Sequence, residues 1–437
     1  MTKEILALAR LKTDQAEAFT EEADRTVVEF RGNRFHSQET RLTHGFGLRA
    51  VKNGRIGFSS STNPERLDDL VAAAAQTAVY GRQVSGWQWP GQDVASQSAK
   101  VKTFDNRVML VPPGRMIGWG KDLIDALLAR VPEMKLDLTF SRTYREVSLE
   151  NSAGLDTGFV RAEFTLWVTG LLVDSGLVWI EEFVNLSDGQ PPALEPLADR
   201  LERKARIAKR RAVLATGVYP VIVMPLALPS MLMPLGLGVN GKQREKGVSP
   251  LIEKQGEKVL DEKLTVVDNP LRDYGLASAP IDGEGIPRRE NVLFKQGVFK
   301  GFLFDLVTGA ACGSATTASA SRGYAQPPAP AVSNIEILPG KASLDSAIKA
   351  IGEGLLVYGF LGGGQSNVLA GDVTMNVSFG FKIERGEIVG RVKDALIAGN
   401  LYTMLSNVEA VGSAQEDLGN YLLPFIGFRD MKVATKE

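Results

Sequence analysis

Thiols and imidazoles are scarce in this chain. In 437 residues there is one cysteine, Cys312, and there are two histidines, His36 and His44. No intramolecular disulfide can form, which suits a reducing cytoplasm. A zinc centre needs His, Cys or carboxylate side chains converging on one point. The two histidines lie eight residues apart with no cysteine nearby. Ser-His-Asp and Cys-His triads are short of histidine for the same reason. A surplus of one charge is also missing, since 50 Lys and Arg face 51 Asp and Glu. That argues against a broad nucleic-acid footprint, which needs excess basic charge. The N-terminal "MTKEILALARLKTDQAEAF" is charged throughout and lacks the apolar run of a signal peptide. The nearest approach to a membrane span, "GVYPVIVMPLALPSMLMPLGLGV", is broken by Pro220, Pro225, Pro229 and Pro234. These absences point to a cytoplasmic protein.

What is present is an ordinary globular balance, 44% hydrophobic and 23% charged, in a chain long enough to bury a large core without staples. Ile5, Leu6, Leu8, Ala9 and Ala16 suggest a first amphipathic helix. "RTVVEFRGNRFHSQET" and "THGFGLRAVKNGRIGFSSS" then alternate as strands, with Asn53-Gly54 marking a hairpin. "STNPERLDDLVAAAAQTAVYGR" predicts a helix capped by Asn63, with Pro64 in its first turn and Gly81 stopping it. A polar linker follows, "SGWQWPGQDVASQSAKVKTFDNRV". After it come a helix over "PPGRMIGWGKDLIDALLARVP", three strands punctuated by "NSAG" and "DSG", and a helix with a basic run from Arg203 to Arg211. That run could bind phosphates or simply form a solvated face. After Gly217 glycine-punctuated strands dominate, with short helices at Met231 to Leu235, Ser343 to Glu353 and Leu396 to Ser406. The expected fold class is α+β. N-terminal units of helices and antiparallel strands, residues 1–90 and 91–215, precede a large β-rich, antiparallel, barrel-like domain, residues 216–437.

The stretch "SAPIDGEGIPRRENVLFKQGVFKGFLFD" raises a sharper question. Asp282 and Glu284 stand two apart, on one face of an extended segment, with Arg288 and Arg289 just behind. They could be an acid/base pair or a decorated turn with salt bridges to those arginines; a calcium loop would need more spaced ligands. Gln296-Gly297 turns the following alternation into a hairpin. "LGGG" at Leu361 to Gly364 could cradle a phosphate, but lacks the Lys-Ser/Thr of a P-loop. Cys312, in "TGAACGSATT", reads as a packed small residue.

"PIDGEGIPRRENVLFKQGVFKGFLFD", "SNIEILPG", "GDVTMNVSFGFKIERGEIVGRVKDALIAGNLYTML" and "FIGFRDMKVA" resemble the TldD/PmbA family, often labelled modulators of DNA gyrase and classed with peptidases. "GFGLRAVKNGRIGFSSSTNPERLDDLVAAA" resembles its first domain and "VSLENSAG" a segment of its middle one. One branch of the family resembles a zinc metallopeptidase, with a His-Glu-x-x-x-His helix and a Cys ligand near the C-terminus. Here the matching stretch, Pro229 to Lys242 ("PSMLMPLGLGVNGK"), contains no His, Glu, Asp or Cys, and the C-terminal stretch has no Cys. The resemblance is therefore to the PmbA/TldE-like branch. It implies a non-catalytic member of a proteolytic system, partnering a zinc subunit or a second copy and binding extended peptides by strand addition. No catalytic, cofactor or metal residue is assigned; Asn240, Asp282, Glu284, Arg288 and Arg322 are candidate groove residues. The rival readings are a different hydrolytic chemistry in the same groove and a gyrase-associated regulator.

Overall fold

Two left-handed residue pairs reverse the chain within its first sixty residues. Gly32–Asn33 (φ 54° and 72°) joins β1 (Gln15–Arg31) to β2 (Arg34–Lys52), and Asn53–Gly54 (φ 50° and 72°) joins β2 to β3 (Arg55–Ser61). Paired positive φ angles match the twist of a two-residue hairpin. The structure, a computed structural model, describes residues 1–83, 85–173, 177–362 and 367–436. Among these residues β4 (Lys135–Asn151), β5 (Asp156–Val173) and β6 (Leu177–Asn185) extend the first three strands into an antiparallel sheet ordered β3-β2-β1-β4-β5-β6. The stretches before and after residue 90 are thus joined by the long pairing of β1 with β4, from Glu17↔Asn151 to Phe30↔Leu138.

Alternation gives this sheet two unlike faces. Ala16, Ala18, Val28 and Phe30 point to one face and pack under helices Thr2–Ala9, Leu67–Tyr80 and Pro113–Leu128. The last of these buries Met116, Trp119, Leu123, Ile124 and Leu127, one face of the helix, with Trp119 against Phe140 and Phe164. Asn63 Oδ1 accepts the Glu65 N–H, so the helix Leu67–Tyr80 is entered through a short 3-10 turn at Pro64–Arg66. The opposite sheet face carries Glu17, Phe19 and Glu21 and meets the C-terminal half.

That half contains β7 (Gly217–Val223), β8 (Val266–Asp268), β9 (Asn291–Lys295), β10 (Val298–Phe299), β11 (Ala320–Ser321), β12 (Ala329–Pro330) and β13 (Ile335–Ile337). It continues with β14 (Glu353–Gly362), β15 (Asp372–Glu384), β16 (Glu387–Arg391), β17 (Ala395–Asn400), β18 (Val408–Asp417) and β19 (Tyr421–Thr435). The pairings β7-β14-β15-β17-β19 return to β7 and close a barrel-like circuit. The helix Leu228–Gly238 plugs its core with Leu228, Met231, Leu232 and Leu235. The fold class is α+β, with the β-rich part C-terminal.

Four local expectations change. Ala16 lies on β1, paired with Ala50, because the first helix ends at Ala9. Leu396 to Asn400 belong to β17, and only Leu401–Leu405 is helical, started by Asn400 accepting the Tyr402 N–H. The polar linker is not loose: Trp89 is buried, and two short helices, Gln92–Ala95 and Asn106–Met109, wrap it onto the sheet. His36 and His44 share one strand, β2. The "DSG" turn and the last two residues of "LGGG" lie outside the described residues.

The two halves come close together at two glycines of β2. A Cβ on Gly45 would sit 2.2 Å from the Tyr324 ring, and one on Gly47 would sit 2.5 Å from the Tyr324 carbonyl oxygen. Gly47→Ala is therefore expected to destabilise the protein by about 1–3 kcal/mol through overpacking. Gly118→Ala, in a helix with open space at the Cβ, should stabilise it by about 0.5–1 kcal/mol. Urea unfolding of the two variants beside the parent checks both signs.

Candidate functional site

Residues 281–287 fold back on themselves as a tight buttress. Ile281 bridges Pro287, the Asp282 N–H donates to the Ile286 carbonyl (2.8 Å), and Gly285 takes φ 78°. Asp282 Oδ1 accepts the Glu284 and Ile286 N–H groups (2.9 and 3.0 Å), and its Oδ2 accepts the Ala320 N–H (3.1 Å). This is an aspartate closing its own turn. The turn aims Glu284 across the seam rather than toward Arg288 or Arg289. Glu284 Oε1 accepts Arg49 Nη1 (2.6 Å), and Oε2 accepts the Leu306 N–H (2.7 Å). Arg289 donates instead to the Thr316 carbonyl (2.7 Å).

Arg49, on β2, is the hub. Its Nε and Nη2 grip Glu17 of the adjacent β1 in a two-pronged pair (3.2 and 3.0 Å). Its guanidinium lies 4.4 Å from the Trp89 ring and 5.4 Å from that of Trp87. Arg322 Nη1 also donates to Glu17. The side chains of Glu17, Arg49, Glu284 and Arg322 are at most 3% exposed.

Burial pushes Glu284 up to about 8; Arg49 opposes this, while Asp282, Asp305 and Glu17 add to it. Burial likewise pushes Asp282 up to about 6 against the charge of Arg288 and three backbone N–H groups. Burial works against the charge of Arg49 too, but Glu17 and Glu284 outweigh it and raise its pKa. Arg288 and Arg322 are both lowered by burial.

Asp282, Arg288 and Arg322 line one cavity of about 130 Å³ under the C-terminal half, with Phe19, Leu149 and Phe159 of the sheet. Glu284 stands behind it, linked through Arg49. Asn240 lies elsewhere: it caps the helix Gly241–Glu245 and donates to the Pro330 carbonyl (2.6 Å). Sequence reasoning missed Glu17, Glu21, Arg49, Arg145 and Arg161. Their signal was faint, a charged residue among apolar or small neighbours, as in "GFGLRAV".

Acid/base chemistry by Asp282 and Glu284 is disfavoured, because both are buried and every carboxylate oxygen already accepts a protein N–H. The helix Leu228–Gly238 presents only Leu, Pro, Ser, Met and Gly. Among the described residues no three His, Cys, Asp or Glu side chains gather to hold a metal. His44 Nε2 lies 3.2 Å from Glu22, and Cys312, half-buried after the helix Leu306–Ala311, has its thiol pKa raised by burial.

An acid whose pKa is higher in the folded than in the unfolded state binds its proton more tightly when folded. Its favourable contribution is complete below the unfolded value, 4.5 for Glu284, and fades as pH rises through about 8. Glu284→Gln, which cannot ionise, is expected to gain stability relative to the parent as pH rises from 5 to 9. Thermal melts across that range measure the slope; a flat difference would show that Glu284 is not held near neutrality.

Two family models match the chain. The PmbA/TldA metallopeptidase C-terminal domain covers residues 216–435, and the PmbA/TldA metallopeptidase domain 1 covers residues 16–78. A metalloprotease TldD homolog of Haemophilus influenzae is 28% identical over 401 residues, spanning 86% of this chain and 81% of that protein. Metalloprotease PmbA of Escherichia coli O157:H7 is 24% identical over 446 residues, spanning 98% and 94%. The crystal structure of TldE from Thermococcus kodakarensis superposes with a TM-score of 0.89 at 23% identity, covering 99% of each chain. A β-rich half docked on a six-stranded sheet, matched over these lengths, makes the chain a member of the PmbA/TldD metallopeptidase family.

Proposed function

We propose that this protein is a non-catalytic, peptide-binding member of a TldD/PmbA-type proteolytic assembly, paired with a zinc-bearing relative or with a second copy of itself. The observation that carries this reading is the helix Leu228–Gly238. The family name implies a metal, and by resemblance this helix would supply its ligands. The residues do not fit that group: Met231, Leu232 and Leu235 are buried in the barrel core, and none of the helix's side chains is an imidazole, carboxylate or thiolate. Ser and Met are poor substitutes for a Zn²⁺ that must stay Lewis-acidic.

Peptide binding needs less. An extended peptide can add to an exposed strand using backbone groups alone. Among the described residues β3 and β6 form the two edges of the six-stranded sheet. Trp179 and Leu177 stand partly exposed on β6 and offer apolar contact. No helix among the described residues is long and apolar enough to cross a membrane.

The test is elemental analysis of protein purified without chelator, joined to peptidase assays with and without a relative carrying His-Glu-x-x-x-His. The expected result is no stoichiometric zinc, no cleavage by the protein alone, and altered cleavage when the two are mixed. Chelator-sensitive cleavage by the isolated protein would overturn the reading.

A further inference from the structure

The cavity beneath the C-terminal half holds more cationic donors than its own acids use. Arg145 on β4, Arg161 on β5, Arg288 and Arg322 line it, against the carboxylates Glu21 and Asp282. Glu21 accepts from Arg145 Nη1 and from the Tyr324 N–H (3.2 Å). Glu163 lies 2.8 Å from Arg161 Nε, yet out of hydrogen-bonding alignment, and Glu17 occupies Arg322 Nη1. After these pairings Nε of Arg145, and Nε and Nη2 of Arg322, are buried with no hydrogen-bond acceptor, while the Arg145 and Arg161 side chains stay 30% and 16% exposed and are the guanidinium groups an incoming anion can reach. The Arg322 side chain is wholly buried. Charged donors left this way are unfavourable, and a guanidinium edge is matched by a carboxylate or a phosphate.

Size and polarity choose between these anions. The cavity, about 130 Å³, is well below the ~300 Å³ of a site that encloses a drug-sized ligand, which excludes a nucleotide. Phe19, Leu149 and Phe159 give one apolar side to an otherwise polar wall, and the Arg322 guanidinium stacks 4.6 Å from the Phe19 ring. An anion carried on a small apolar group suits that lining better than a fully hydrated phosphate. The cavity shares Glu21 and Arg145 with a shallower trough of about 400 Å³ on the same sheet face, which runs past Arg25, Arg41 and Thr43. A chain could lie there with its end inside.

We propose that this cavity binds the C-terminal carboxylate of a peptide, with the preceding residues laid along the trough. The carboxylate site stands on the cavity; its assignment to a peptide rests on the peptide-binding reading above.

The test is calorimetric titration of the full-length protein with three probes: penta-alanine with a free C-terminus, the same peptide as its C-terminal amide, and inorganic phosphate. The free acid is expected to bind about tenfold or more tighter than the amide. Arg161→Gln and Arg145→Gln should each reduce the acid to the amide's affinity, in proteins whose melting temperatures confirm folding. Equal binding of acid and amide by the parent, or a preference that survives both substitutions, would overturn the carboxylate site and leave peptide binding standing. Phosphate bound more tightly than the acid would overturn the peptide assignment. Failure of all three probes to bind would overturn this proposal and count against the peptide-binding reading as well.

Discussion

Arg49 is the charge on which the docking of the two halves depends. Taking a guanidinium out of water is expensive, and it is tolerated only where opposite charges and hydrogen bonds replace the lost hydration. Here the replacement comes from two directions. Glu17 is supplied by the neighbouring strand, so that pair exists as soon as the first hairpin forms. Glu284 is supplied from 235 residues further along, so the second pair exists only once the C-terminal half has docked. Trp89 and Trp87 cover the guanidinium face and complete its isolation. Such a cluster is weak evidence for net stability, since a well-packed apolar replacement of the whole set can do as well. Its effect is on position. An undocked or shifted C-terminal half leaves Arg49 and Glu284 each short of a partner, so only one register satisfies both. Gly45 and Gly47 set the same register sterically, because only there can the Tyr324 loop lie flat on the sheet.

The cavity follows from that arrangement. Glu17 is divided between Arg49 and Arg322, which leaves Arg322 only partly satisfied. Burial pulls Arg145 down, and the nearby charge of Arg161 pulls it further. The polarity of this sheet face and the cavity above it thus involve the same arginines.

Much of the fold was legible because it is written locally. Asn53-Gly54, Gln296-Gly297 and the Asn63-Pro64 helix start each carry their geometry within a few residues, and all three form as read. The glycine-punctuated strands after Gly217 also announce a β-rich half. What could not be read was pairing at a distance. The natural partners for Asp282 and Glu284 were Arg288 and Arg289, close in sequence. The turn that Asp282 makes with its own backbone points Glu284 the other way, toward an arginine in the first hairpin. The tryptophans of "SGWQWP" looked like linker because their binding partner, Arg49, is a lone charge inside an apolar strand. Leu396 to Asn400 read as helix because their run of Leu, Ile and Ala favours one; pairing with β15 overrides that preference.

The helix Leu228–Gly238 shows how far packing constrains this part of the scaffold. Its inward positions are packing positions first: Met231, Leu232 and Leu235 close the barrel core whatever else the helix does. Apolar residues on such a helix strengthen the barrel core around it. Binding and cleavage thereby become separable in physical terms. Cleavage needs a Lewis acid at one point in space, which imidazole or carboxylate side chains must supply. Binding an extended peptide needs only a strand edge and side-chain contacts, and neither calls for a metal ligand.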